Sequence, residues 1–433
     1  MKRITKVKVL SISTIFLLLS LALNSCSSKP DNEIEFWTMQ LKPDFTEYFS
    51  ELISDFEAKD TNNKIRWLDV PWGDMKSKIL TSVAAGTAPD VVNLNPNFAS
   101  QLAQRKAWLN LAEKVPENIQ KKYLTNIWEA STIKLCLQQK CEESIFAIPW
   151  YLTTRITIYN QDLLQKAKIK KPPQTYQELA EIAAKIKQET GKYAFFITFV
   201  PGDSSEVLES FVQMGVELVD EEGKAAFNSK EGIAAFRYWV DLYQQELLPR
   251  EVLTQGHRYG IQLYQAGETA ILASGAEFLE SIAISAPSIA KVSASAPQIT
   301  GPTRLKNVAV MNLAIPRSTD QPDKALEFAL YVTNTENQVA FAKAAKVLPS
   351  TVAGIDRYLA ELNDGTTISP VEAAMKVSAS QIKDAKVLIK PRKNLNLLQK
   401  IIYENLQSAM LKQKTVEKAI EDAAKEWNQI RSD

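Results

Sequence analysis

Four loops and one proline-broken strand hold the residues that could do chemistry in this chain. Thr38 to Gln40 follows the run EIEFW, which carries Trp37. Trp72 to Asp74 follows a second apolar run, and Asn95 to Asn97 follows a third. The stretch Ile145 to Asn160 supplies Trp150, Tyr151 and Thr153; Ser274 to Phe278 adds Gly275, Glu277 and Phe278. Rings of this kind stack, and amides and carboxylates trade hydrogen bonds. None is a nucleophile beside a base. The single histidine, His257, lies in a polar loop between two helices with no partner motif, and reads as a surface residue. No phosphate-binding loop, glycine-rich dinucleotide turn or metal-ligand spacing appears, so no cofactor or metal is expected. No motif points to the paired carboxylates of glycoside hydrolysis. The set fits holding a small molecule, not converting one.

The elements around these residues alternate. Strands are expected at Ile34 to Trp37, Ile65 to Val70 and Asp90 to Leu94. Between them lie helices with Phe49, Leu52, Ile53 and Phe56, then Met75, Ile79 and Val83, at three-to-four spacing, the second ending at Gly86. That order predicts a parallel sheet whose right-handed crossovers gather the first three loops on one edge. Pro149 cannot donate to a ladder, so a strand must stop or bend there. Beyond it, Thr154, Ile156 and Ile158 alternate with Arg155, Thr157 and Tyr159. Two readings stay open: a strand crossing between two lobes, with Trp150 and Tyr151 at a cleft, or two core aromatics beside a β-bulge. Further on, Thr175 is an N-cap for a helix, and Ala194 to Val200 reads as a buried strand. Ile284 to Pro302 reads as a return toward the first lobe. Val308 to Ile315 reads as another strand. The last 70 or so residues read as helical, broken by the basic loop Lys390 to Lys393.

At 433 residues, two domains are expected. The chain has 51 basic and 50 acidic side chains with no basic stripe, which excludes a nucleic-acid surface. Lys2, Arg3, Lys6 and Lys8 precede the apolar run Val9 to Leu23, the layout of an export signal. Leu23-Asn24-Ser25-Cys26 resembles a bacterial lipobox, implying a leader over residues 1–25 and acylation of Cys26. The expected location is the periplasm or cell surface, with a membrane anchor through that lipid. In that compartment Cys136 and Cys141, flanking a polar tight turn, read as a disulfide staple or as two free thiols.

Several segments, in order, resemble a known family. They are KILTSVAAGTAPDVV (Lys78 to Val92), Ile148-Pro149 through Leu164, and Pro172-Pro173-Gln174-Thr175-Tyr176-Gln177-Glu178-Leu179. Then come Gly267-Glu268-Thr269-Ala270-Ile271, Val310 to Pro316 and Lys324 to Phe328. Together they resemble the extracellular solute-binding proteins of bacterial ABC sugar importers, the group with maltose- and trehalose-binding members. The resemblance implies a two-lobed α/β periplasmic-binding-protein fold (type II) whose cleft lies between lobes joined by crossing strands. One lobe would hold residues 26–150 and 303–355, the other 151–302 and 356–433. It implies a monomer, not an enzyme, that captures a di- or oligosaccharide or glycoside and delivers it to membrane permease subunits. It points to Trp37, Trp72, Trp150, Tyr151 and Phe278 as stacking rings, and to Gln40, Asp74, Asn95, Asn97 and Glu277 as hydrogen-bonding groups. By position it adds Thr153, Gly275, Met311, Asn312 and Arg392. Gly275 stands where relatives often place a stacking Trp. The alternative ligand is a glycerophosphodiester or sn-glycerol-3-phosphate, which would need cations such as Arg155, Lys390 or Arg392 at the cleft.

Overall fold

A computed structural model describes residues 32–433 apart from 138–139, 364–368, 391, 393 and 433. The leader and Cys26 lie outside the described residues. The first strands and helices form in the expected order: β1 (Glu33–Met39), α1 (Thr46–Lys59), β2 (Lys64–Val70), α2 (Trp72–Ala85) and β3 (Val91–Leu94). α2 stops at Gly86, whose φ of 71° is left-handed, the conformation that glycine adopts without a Cβ penalty. β1 pairs in parallel with β2 and with β3. A hairpin follows, β4 (Thr132–Leu137) and β5 (Lys140–Ile145), with Cys136 directly opposite Cys141 in register. Their side chains, like that of Asn97, lie outside what the structure describes.

β6 (Ile148–Thr154) and β7 (Ile156–Asn160) decide the architecture. β6 joins the large sheet and β7 the small one, and Arg155 alone separates them. The chain therefore crosses at Arg155, not at Trp150 and Tyr151. Pro149 does not end β6. The ladder with β10 (Lys306–Ala314) shifts register instead: Met311 faces Tyr151 and Asn312 faces Pro149, leaving Trp150 as the extra residue of a bulge. The large sheet runs β11 (Leu348–Pro349), β6, β10, β3, β1, β2. Pairing of β10 with β3 spans Asn312 to Ala314, whereas pairing with β6 continues back to Val308 opposite Thr154. β6 and β10 thus overrun the edge where β1, β2 and β3 end.

The small sheet places β7 between β8 (Ile271–Ser274) and β9 (Ser293–Ala296), both antiparallel. The Ala- and Ser-rich stretch is thus a strand of this sheet as well as a connector. Ala194 to Val200 is not a strand. It is buried irregular chain, tied by the Phe199 N–H to the Val252 carbonyl and by the Ile271 N–H to the Ala194 carbonyl. α3 (Tyr176–Thr190) starts at Thr175 with a reciprocal Thr175–Glu178 capping box. α4 (Glu206–Gln213), α5 (Lys230–Gln244), α6 (His257–Gln265) and α7 (Glu277–Ser285) complete the second lobe's central part.

One face of the large sheet packs an aromatic core on α1 and on the helices Pro322–Val332 and Thr335–Ala345. The other face packs Trp37, Met39, Leu94 and Met311 against α2. Trp150 has no exposed surface; it stacks on Phe341 at 4.8 Å and 23°, with Phe49 5.9 Å away and Phe36 6.4 Å away. The bulge turns this ring into the core, so the bulge reading holds for Trp150. Trp37 is buried too, under the Lys78 ammonium, 4.4 Å from its ring centre. Truncating a buried aromatic costs its transfer energy plus a cavity. Trp150→Ala is expected to lower unfolding free energy by about 3–5 kcal/mol, measured by urea denaturation of the mature chain.

Candidate binding cleft

The overrunning halves of β6 and β10 form a floor. Tyr151 and Thr153 share one face of β6 by alternation, opposite Met311 and Ala309 of β10. Tyr151 and Thr153 are half-buried and Ala309 is exposed, so this face meets solvent; Leu152 and Thr154 on the other face are buried. Tyr151 also leans on Trp150 and Phe341. The ladder Met311–Tyr151 brings the returning strand beside the crossing strand, but Met311 itself is 7% exposed. Asn312 lies in the core, not on this surface. Its Oδ1 accepts from Ser131 Oγ, its Nδ2 donates to the Val310 carbonyl, and its carbonyl accepts from Asn93 Nδ2.

The first lobe supplies a rim beside the floor. Gln40 takes φ 52° just after β1; its N–H donates to the Val70 carbonyl, and its Oε1 accepts from the Trp72 N–H at 3.3 Å. The loops after β1 and β2 are thereby stitched together. Trp72 is 44% exposed, a large ring left on the surface at the first turn of α2. Asp74 is exposed on the same turn. Asn95 is half-buried, and its Oδ1 caps the next helix by accepting from the Phe98 N–H at 3.0 Å.

The second lobe contributes Gly275, Glu277, Phe278, which packs against the same core cluster as Tyr151, and, unexpectedly, His257 beside that ring. The Glu277 carboxylate folds back over Gly275, where a Cβ would overlap Glu277 Oε2. The bare glycine makes room for that carboxylate. No hydrogen bond from another described side chain reaches it. Its burial raises its pKa to about 7, opposed by its own backbone N–H and by the nearby Arg155 and His257 charges. Burial, with the Glu277 charge second, pushes the Tyr151 hydroxyl far above the usual phenol range. The two groups are neighbours across the lobes. Phe278 is half-buried against the first core, its ring edge-on to His257 at 6.3 Å.

Behind this wall sits a buried ion cluster that sequence reading passed over. Arg155 Nη1 donates to Glu206 Oε1 at 2.9 Å, and its Nε lies 3.4 Å from Glu209 Oε2. Both glutamates project from α4, three residues apart, and both are more than nine-tenths buried. His257 Nδ1 lies 3.4 Å from Glu206 Oε2, and its Nε2 is 3.2 Å from Ser274 Oγ. Far from a free surface residue, His257 opens α6 and braces the wall. Burial works against the Arg155 charge, but Glu206 and Glu209 outweigh it and hold the guanidinium firmly protonated. Burial alone would raise the Glu206 pKa; Arg155 and His257 bring it below the ordinary range. A clue existed. Arg155 is the one charged residue between Glu143 and Asp162, and a lone charge in an apolar run must find partners. Arg392 is half-buried elsewhere: burial lowers its pKa, and Glu217 is the charge opposing that.

Residues 42–339 match the family described as bacterial extracellular solute-binding protein. A periplasmic-binding protein of Synechococcus sp. MITs9220, described as a candidate oligosaccharide binder, is 41% identical. The likeness covers 92% of this chain and 99% of that one, with a TM-score of 0.85. The cyclic alpha-maltosyl-1,6-maltose binding protein of Arthrobacter globiformis shares the fold at 19% identity, TM-score 0.76, over 92% and 98% of the two chains. The diacetylchitobiose binding protein DasA of Streptomyces coelicolor is 24% identical over 324 residues, 72% of each chain.

Two outcomes follow from the charges. Arg155→Ala strands two buried carboxylates and is expected to cost about 3–5 kcal/mol; Arg155→Met with Glu206→Gln and Glu209→Gln should recover most of it, both read by denaturant melts. The folded chain holds the Glu277 proton more tightly than the unfolded chain does. That stability is whole below the ordinary 4.5 and is lost as pH rises through about 7. Glu277→Gln should remove a fall on the order of 2 kcal/mol between pH 5 and 8, measured by melts across that range.

Proposed function

This chain belongs to the bacterial extracellular solute-binding proteins, and we propose that within that family it captures a carbohydrate between its lobes and hands it to the permease subunits of an ABC importer. The observation that carries the reading is the solvent-facing floor of Tyr151 and Thr153 at the lobe crossing. It is supported by the exposed Trp72 ring that follows β2 and by Phe278, which packs against the same core cluster as Tyr151. Rings take the apolar faces of pyranoses, while Thr153, Asp74 and Glu277 are free to meet hydroxyls. A buried hydroxyl left unpaired costs about 1–3 kcal/mol, which makes such a site selective. Asn95 and Gln40 border the site while already bonded within the fold. Three relatives point the same way by what they are described as binding: an oligosaccharide, cyclic alpha-maltosyl-1,6-maltose and diacetylchitobiose.

The lobes we propose are 26–150 with 303–355, and 151–302 with 356–433. The helix Pro370–Ser380 packs on β6, β7 and β9, which puts it at their junction. We propose acylation at Cys26 as the membrane anchor; no helix among the described residues is long and apolar enough to cross a membrane. We propose a monomer with a Cys136–Cys141 staple, supported by the directly opposed register. No turnover is part of the proposal, since both His257 ring nitrogens face partners within the fold. A phosphorylated guest is the weaker reading, because Arg155 is committed to Glu206 and Glu209.

A thermal-shift panel of mono-, di- and trisaccharides, polyols and glycerophosphates against the mature chain tests this. A bound sugar at 100 times its Kd stabilises by about 2.7 kcal/mol. Tyr151→Ala and Trp72→Ala should each weaken that sugar at least about tenfold, close to 1.4 kcal/mol, by titration calorimetry. Stabilisation by glycerophosphates and by no sugar would sink the reading.

A further inference from the structure

The charges around the second-lobe wall do not balance. Three carboxylates, Glu206, Glu209 and Glu277, stand near one permanent cation, Arg155, and one histidine. Arg155 is spent on Glu206 and Glu209, and its Nε hydrogen and both carboxylates' Oε2 atoms make no hydrogen bond among the described residues. His257 leans on Glu206 from the other side. Glu277 is therefore the carboxylate of the group that no described side chain engages by a hydrogen bond. It opens α7 beside Phe278, which packs against the same core cluster as Tyr151, and its charge acts on the Tyr151 hydroxyl. Gly275 leaves the space that the carboxylate occupies. The first-lobe rim adds Asp74, followed on the same helix by Lys76 and by Lys78, which covers the Trp37 ring; Arg155 is engaged by the two glutamates, and Glu217 is the charge acting on Arg392.

We propose that Glu277 is a specificity-determining residue that selects the guest by charge: neutral and amine-bearing sugars enter, and sugars carrying a carboxylate or phosphate are rejected. This rests on the carbohydrate reading above and narrows it to a substrate class. Glu277 accepts a hydrogen bond from a hydroxyl or an ammonium of the guest. Against an anion it offers like charge in a partly desolvated place, where repulsion is screened less than in water.

The test uses the full mature chain at pH 8 and titration calorimetry. The probes are maltose, cellobiose and trehalose, each with its 6-amino-6-deoxy and 6-carboxylate (uronate) counterparts. For whichever neutral sugar binds, the uronate is expected to bind at least about tenfold more weakly and the amine no more weakly. In Glu277→Gln the uronate penalty should shrink to threefold or less. Glu277→Asp, which keeps the charge, should preserve the penalty and so separates loss of charge from loss of folding. A uronate that binds the wild type as well as its neutral parent overturns the proposal, as does a penalty unchanged in Glu277→Gln. Binding of none of the neutral, amino or acid sugars overturns the carbohydrate reading, and this inference with it.

Discussion

A guanidinium that must stay charged inside the protein governs the region where the two lobes meet. Arg155 is the one residue between the last strand position of the large sheet and the first of the small one. Its side chain cannot lie in an apolar core unpaired, because burying an isolated ion costs several kcal/mol even after relaxation. It reaches into the second lobe, where α4 presents Glu206 and Glu209 on one face. The carbonyl of Arg155 is held as well, by Gln381 Nε2 at 3.4 Å. The switch between sheets is thus pinned by charge on one side and by the Gln381 amide on the other. That fixes where β6 leaves one lobe and β7 enters the next.

The floor of the cleft follows from the same placement. Because the crossing comes at Arg155, β6 runs on for several residues past the edge where β1 to β3 end, and β10 accompanies it. Those residues have a helix-covered face, where Thr154 bonds Ser378, and an open face, where Tyr151 and Thr153 point. Had the chain crossed at Pro149, the open face would have lost both side chains. The bulge at Trp150 matters for the same reason. By absorbing one extra residue, it turns the large ring into the Phe36–Phe49–Phe341 core and leaves Tyr151 next to the cleft.

Burial also divides polar residues that look alike in sequence. Asn312, Asn95 and Gln40 spend their hydrogen bonds inside the fold: one in a buried network, one on a helix start, one across two loops. Glu277 has the opposite fate. It is held in a desolvated place with its carboxylate unengaged by the described side chains, which moves its titration up to about 7. Groups left unsatisfied at a cleft are the ones with something to offer a guest.

Alternation, helical spacing and the Gly86 and Thr175 caps are local signals, so the order of strands and helices in the first α/β unit was legible along the chain, and the resemblance to the solute-binding family implied the two lobes. The sequence also marked Pro149 as a place where the strand must change. What it could not decide was which aromatic would turn outward. Trp150 and Tyr151 are adjacent and similar, and a one-residue bulge inverts their faces without leaving a mark in composition. Nor did it reveal the Arg155, Glu206 and His257 cluster, whose members lie 51 residues apart in one ion pair and meet only when α4 and α6 pack beside β7. Periodicity is written along the chain, whereas charge pairing and facing belong to distances across it, and those exist only in the folded molecule.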